Sequence, residues 1–298
     1  MSYEHYTESF KEWLQILNYS AATCESVPRQ LHEFFTWLEQ HNINGIAQVT
    51  RKIILEWYAY LKYERKSKLT DTFLKAGTLN SYQRMLRMFS SYLQESEQMS
   101  LTIDLMHERP SPVVRPILTV GEVEQLYRNT SDDVYGLREQ AMLSVYYGCG
   151  LRSREGIALN LDDVLLEKKM IYVRQGKGYK ERYVPFVEKQ QQDFKRYLEH
   201  CRPLLANEES ANAFFLGNQG RRINYTALLK TLKELQQRTG NETLKQKTIG
   251  LHALRHSIAT HLMHKGMKFD YISQFLGHAN MDSTQIYTHL AHEYAEAN

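Results

Sequence analysis

Four short stretches of this 298-residue chain carry side chains suited to chemistry. The first is Gly148-Cys149-Gly150-Leu151-Arg152-Ser153-Arg154-Glu155, where an arginine follows a glycine-containing break and opens a helix. Helix N-termini attract phosphate through free N–H groups. The second, Gly176-Lys177-Gly178, puts a lysine on a tight turn whose glycines tolerate positive φ. The third is Leu251-His252-Ala253-Leu254-Arg255-His256-Ser257. Here His252 and Arg255 stand three apart and share a helix face, beside an apolar stripe of Leu251, Leu254, Ile258 and Leu262. The fourth is Leu276-Gly277-His278-Ala279-Asn280, with Tyr287 nine positions beyond His278. Taken singly, each has a plainer reading: a surface arginine, a solubilising turn lysine, a packed histidine, one of 20 tyrosines. His252 and His256 also have the spacing of two metal ligands, but no HExxH pattern or third carboxylate accompanies them, so no metal is expected.

These stretches need elements to position them. Four apolar stripes at helical spacing occupy the first hundred residues: Phe10, Trp13, Leu14, Leu17; Leu31, Phe34, Phe35, Leu38; Ile53, Ile54, Trp57, Tyr58, Leu61; and Leu79, Tyr82, Leu86, Phe89, Tyr92. Thr50 suits the N-cap of the third helix. A four-helix unit over residues 1–106 is expected. Three of the chain's 6 prolines fall in His107–Pro116, so residues 107–117 read as an extended linker. The second unit, 118–298, opens at Thr119, an N-cap for a helix near 120–128. A helix over Gly136–Tyr147 follows. Short strands are then expected at Val164–Leu166, Met170–Gln175 and Glu181–Phe186, the last two joined by the glycine turn that holds Lys177. Helices resume near 187–200, 224–238, 251–265, 268–275 and 281–290. The fold class is mainly α with a small antiparallel β-sheet.

Composition narrows the setting. The hydrophobic fraction is 42% and the charged fraction 24%, ordinary globular values. No apolar run is long enough to span a membrane, and the acidic first ten residues are not a secretory signal. Three scattered cysteines, Cys24, Cys149 and Cys201, suit a reducing cytoplasm, with Cys149 a buried small hydrophobe. Net charge is only +3, but it is unevenly spread. Residues 1–50 carry two basic and six acidic side chains, whereas 51–90 carry nine basic and three acidic. That basic segment is a candidate phosphate footprint, with Arg51, Lys52, Lys62, Arg65, Lys66, Lys68, Arg84 and Arg87 as its candidate DNA contacts.

In this order and spacing, the four stretches resemble the tyrosine site-specific recombinase (phage integrase) family over about residues 118–290. The strongest pieces are LHALRHSIATHL, LGHANMDSTQIYTH and GKGYKERYVP. Total length and linker look most like the Xer-type and small mobile-element integrase branch. The resemblance implies an N-terminal core-binding (SAM-like) domain and a C-terminal α+β catalytic domain that close as a clamp around DNA. It carries six catalytic positions onto this chain: Arg152, Lys177, His252, Arg255, His278 and Tyr287. Two departures accompany it. Arg154 stands where the family has a small residue, adding a further candidate DNA contact, and Gly156 sits inside an expected helix at about 1 kcal/mol relative to alanine.

The implied reaction is strand cleavage and rejoining through a 3′-phosphotyrosyl intermediate and a Holliday junction, with no cofactor. The ordinary tyrosine pKa of about 10 makes a proton acceptor necessary at neutral pH, and His252 is the candidate base. Arg152 and Arg255 would clamp the phosphate oxygens, Lys177 protonate the leaving 5′ oxygen, His278 orient the phosphate, and Tyr287 attack. Glu155 is expected to hold Arg152 and its helix rather than to act in catalysis. Partners implied are double-stranded DNA with an inverted-repeat site, a homo-tetramer in the synaptic complex, and in some systems a second recombinase. Three other readings remain open at this point: a type IB topoisomerase-like relaxing enzyme, a DNA-binding accessory protein of the same fold that does not cleave, and, least favoured, a metal-dependent nuclease that EDTA would inactivate.

Overall fold

Ser2, Ser20 and Thr50 each accept a hydrogen bond from the backbone N–H three residues on, and so start the first three helices of the computed structural model. These are α1 (Tyr3–Ile16), α2 (Ala21–Gln40) and α3 (Arg51–Tyr63), and α4 (Ala76–Glu97) follows. The structure describes residues 2–67, 70–97, 99–109, 116–174 and 181–277. The chain divides into two compact units, Met1–Val114 and Arg115–Asn298.

The core of the first unit is aromatic. Phe10, Phe34, Phe35, Trp57 and Phe89 are buried together. Phe89 meets Phe10 and Phe35 edge-on, at centroid distances of 5.4 and 5.5 Å. The expected stripes line this core, except that Leu17 is the C-cap of α1 and is exposed. The start of the Pro-rich stretch is held on this unit as well. Asn80 bonds both the N–H and the carbonyl of Glu108, whose carboxylate accepts from Lys62 and Tyr58.

The second unit opens with α5 (Val120–Arg128), capped reciprocally by Thr119 and Glu122. Just before it, the Leu118 N–H donates to Ser257 Oγ, which anchors the unit's first residues. α6 (Val134–Leu143) starts two residues earlier than expected and ends in a π-helical turn, Ser144–Gly148. That turn buries Val145 and Tyr146 and delivers the chain to Arg152 and the short α7 (Ser153–Ala158). The strands are shorter than their sequence patterns: β1 (Val164–Leu165), β2 (Met170–Val173) and β3 (Arg182–Pro185). They pair antiparallel in the order β1-β2-β3, with Ile171 opposite Val184 and Val173 opposite Arg182. α8 (Glu188–Arg196) runs through a second π turn into α9 (Arg202–Leu205). The remaining described helices are α10 (Tyr225–Arg238), α11 (Glu242–Gln246), α12 (Leu251–His264) and α13 (Phe269–Leu276). The helix expected near 281–290 lies outside the described residues.

One core joins these elements. Ile171 and Val184 from the sheet, Phe194 from α8, Phe214, and Leu254 and Ile258 from α12 are all buried in it. Each such side chain contributes about 1.5–3 kcal/mol. Cys149 lies fully inside, and all three cysteines are buried free thiols. Gly156, a departure from the family pattern, has a steric reason here. A Cβ there would lie 2.6 Å from the hydroxyl of Tyr146, whose ring is buried and whose hydroxyl bonds the Ser153 carbonyl. Tyr146 occupies the space that a larger residue at 156 needs.

Candidate active site

Glu155 is the centre of the site. As third residue of α7, its carboxylate turns back to accept the N–H of Arg152, the N-cap, at 2.8 Å. It also accepts from Arg152 Nη1 at 2.7 Å, and from Arg182 Nη1 and Nη2 at 3.0 and 2.8 Å. Arg255 Nη1 lies 3.9 Å away. Three guanidinium groups therefore surround one carboxylate, three positive charges against one negative. Glu155 is 3% exposed, yet its pKa falls from 4.5 to about 2. Burial alone would raise it; the hydrogen bonds and charges of Arg182 and Arg152 outweigh burial.

Each arginine is held by a different element. Arg152 sits where the turn after Gly148 enters α7, and its Nη2 donates to the Gly277 carbonyl at 2.9 Å. It is the most accessible of the three, with 23% of its side chain exposed. Arg255, on the first turns of α12, donates to the carbonyls of Gly150 and Leu276 and is buried. Its burial, with Arg152 and Arg182 nearby, brings its pKa from 12.5 down to about 9, so it stays charged at neutral pH. Arg182 comes from β3. It shares the inward parity of Val184, and both are buried.

Gly277 ties the cluster together. It caps α13 with a left-handed backbone (φ +68), the conformation glycine adopts most easily. Its carbonyl takes Arg152, and a Cβ at this position would lie 2.6 Å from Arg182 Nε. His252, second residue of α12, bonds Ser153 Oγ through Nδ1 at 3.2 Å, which brings the N-terminal ends of α7 and α12 together.

The structure thus brings together three of the six expected positions, Arg152, His252 and Arg255, with Glu155 bracing Arg152. Lys177, His278 and Tyr287 lie outside the described residues, although β2 and β3 flank the first and Gly277 directly precedes the second. Arg182 was not singled out from the sequence. Its signal was an arginine on the same face of a strand as Val184, a position that only a buried counter-charge makes tolerable.

The candidate DNA contacts of the first unit are mostly engaged internally. Arg51 pairs with Asp104, Lys52 with Glu56, Lys62 with Glu108, Arg65 with Glu33 and Lys66 with Asp71. Arg87 reaches the Leu105 carbonyl and Gln83. Arg84 is exposed and has no partner among the described residues. Lys68 lies outside them. Arg154, on α7, is exposed. No group of three or more metal-ligating side chains stands close together among the described residues. None of the helices searched there is long and apolar enough to cross a membrane.

Comparison with known proteins places the chain in a family. The phage integrase family model matches residues 116–293. The tyrosine recombinase XerD of Listeria innocua is 32% identical over 276 residues, covering 91% of this chain and 89% of that protein. The tyrosine recombinase XerC 2 of Ralstonia nicotianae is 31% identical over 98% of this chain and 83% of its own length. Among solved structures, the XerH recombinase bound to its difH substrate superposes with a TM-score of 0.68 at 21% identity, covering 92% of this chain and 79% of that one. The Tn1549 transposon integrase with circular intermediate DNA does so with a TM-score of 0.68 at 20% identity, covering 99% and 95%. The fold is that of these recombinases, and the chain belongs to the phage integrase family, as a tyrosine recombinase that cleaves and rejoins DNA strands.

Proposed function

We propose that the chain recombines double-stranded DNA at an inverted-repeat site through a covalent phosphotyrosine on Tyr287. The observation that carries this reading is the pair Arg152 and Arg255. They are 103 positions apart in sequence, yet both stand at one buried carboxylate beside His252. Two guanidinium forks held this way suit the non-bridging oxygens of a phosphodiester, which gain charge as phosphorus becomes five-coordinate.

Tyr287 Oη attacks the scissile phosphorus, and its proton passes to His252. The P–Oη bond forms as the P–O5′ bond breaks, and the leaving 5′ oxygen takes a proton from Lys177. His278 orients the phosphate. A 5′ hydroxyl from the partner strand then reverses the attack. One phosphodiester is exchanged for a phosphotyrosyl ester of similar energy, so no ATP or metal enters the scheme. In this reading the first unit is the core-binding domain and the second the catalytic domain, and the two clamp the duplex. Four copies assemble at the synapse.

The test is covalent trapping. The full chain first selects a binding sequence from a random duplex pool, and that sequence is rebuilt with a nick beside the scissile phosphate. A denaturing gel should show a slow, protease-sensitive DNA adduct for the wild type. The adduct should persist in EDTA and be absent in Tyr287→Phe. A chain that binds this duplex and forms no adduct refutes the reading.

A further inference from the structure

We infer that Arg182 is a positioning residue for this same reaction: it neutralises Glu155, so that Arg152 and Arg255 keep their positive charge for the phosphate. The inference rests on the proposed phosphotransfer and adds a seventh residue to it.

Alone, Glu155 would work against phosphate binding. Its carboxylate lies within ion-pairing distance of both Arg152 and Arg255 and is almost wholly withdrawn from water. A lone buried carboxylate would cancel one of the two charges the phosphate needs. It would also compete for the donors of Arg152. Arg182 offsets that charge, although Arg152 Nη1 still donates to the same carboxylate. Both of its terminal nitrogens are spent on the two oxygens of Glu155, in a fork-to-fork pair. Its Nε has no acceptor among the described residues and is packed against Gly277, so the guanidinium is held by the pair and by close packing.

The count then fits the chemistry. Three guanidinium groups and one carboxylate leave a net charge of +2. A phosphodiester carries one negative charge, and its five-coordinate transition state carries two. Counted over these four groups, with the proton-donating Lys177 outside the count, the cluster carries the charge of the transition state rather than of the ground state. Without Arg182 the cluster would match the ground state instead. Arg182 is buried, so this influence passes through Glu155 rather than through direct contact.

The inference predicts a rescue that a merely structural role does not. Adduct formation is measured in single turnover, with the full chain and the nicked duplex described above. Arg182→Met should slow it about 100-fold, because Glu155 then cancels the charge of one guanidinium that faces the phosphate. Adding Glu155→Gln to Arg182→Met restores the charge count and should recover about tenfold or more. On a duplex with a neutral methylphosphonate at the scissile position, the Arg182→Met deficit should shrink to about fivefold or less. Arg182→Lys, which keeps the charge, should stay within about tenfold of wild type, and Glu155→Gln should not speed it. All variants are checked for duplex affinity and far-UV circular dichroism. If Arg182→Met does not fold, Arg182→Lys decides alone, and a loss of about 100-fold there overturns the inference. So does an Arg182→Met rate within about threefold of wild type, or a double variant no faster than the single one. A wild type that forms no adduct overturns the proposed function instead.

Discussion

Replacing Glu155 by glutamine should destabilise the catalytic unit by about 3 kcal/mol at neutral pH. The carboxylate is held at about 2 against an ordinary 4.5. At about 1.4 kcal/mol per tenfold, that displacement corresponds to about 3 kcal/mol of preference for the ionised form. Breaking a buried ion pair from one side costs about 3–5 kcal/mol, in the same range. Glutamine keeps the shape of the side chain but turns an amide donor towards guanidinium donors and leaves three cations without a counter-charge. The sign follows from a folded-state pKa lowered below the unfolded one. The stabilisation is fully present above about pH 5 and is lost as pH falls from about 4.5 to about 2. By pH 3 about two-thirds of it is gone, so the gap between wild type and variant should close to about 1 kcal/mol. Tryptophan fluorescence will not report this, because Trp13, Trp37 and Trp57 all lie in the first unit. Amide hydrogen exchange along α12 does report it. At pH 7 the slowest α12 amides should exchange about 100-fold faster in the variant, after correction for intrinsic rates. A change of less than about fivefold, or a gap that does not narrow between pH 6 and pH 3, would refute the reasoning.

Three further outcomes follow from the same structure. Gly156→Ala should lower stability by about 1–2 kcal/mol, because overpacking against buried Tyr146 outweighs the ~1 kcal/mol gain in helix propensity; a higher thermal midpoint would contradict this. Arg255→Lys removes the fork that spans the Gly150 and Leu276 carbonyls, and should slow adduct formation about 100-fold or more while duplex affinity changes less than about threefold; a rate within tenfold of wild type would contradict it. Arg84→Ala should weaken DNA binding and reduce the slope of log affinity against log salt by about 0.9, whereas Arg51→Ala, whose guanidinium is paired with Asp104, should change the slope less; equal slopes would contradict the distinction.

Much of this was legible because local chemistry is local in sequence. Thr50 and Thr119 cap the helices they precede, and the periodic stripes of Leu31–Leu38 and Leu251–Leu262 line the two cores. Glu155 reads as a brace because it stands three residues from Arg152, within reach of the same turn. What the sequence hid depends on groups far apart in it. Arg182 meets Glu155 across 27 positions, and only the sheet register decides that it points inward. The charge count over 51–90 could not see Glu33, Asp104 and Glu108, which arrive from outside that window to pair with its cations. The π turn at Ser144–Gly148 leaves no mark in an apolar run, because its extra residue is absorbed within a continuous helical pattern. Gly156 reads as a defect until Tyr146, ten positions earlier, is seen to fill the space beside it.

In the proposed reaction Tyr287 becomes joined to the 3′ phosphate of the cleaved strand. The most direct test is to digest the trapped adduct with protease and nuclease and sequence the nucleotide-bearing peptide by mass spectrometry, while the released strand is offered to a polynucleotide kinase. The expected result is one modified peptide, with the nucleotide on Tyr287 through a 3′ phosphate, and a released 5′ end that the kinase labels without prior phosphatase treatment. A nucleotide on any other residue, or a 5′-phosphate linkage, would contradict it.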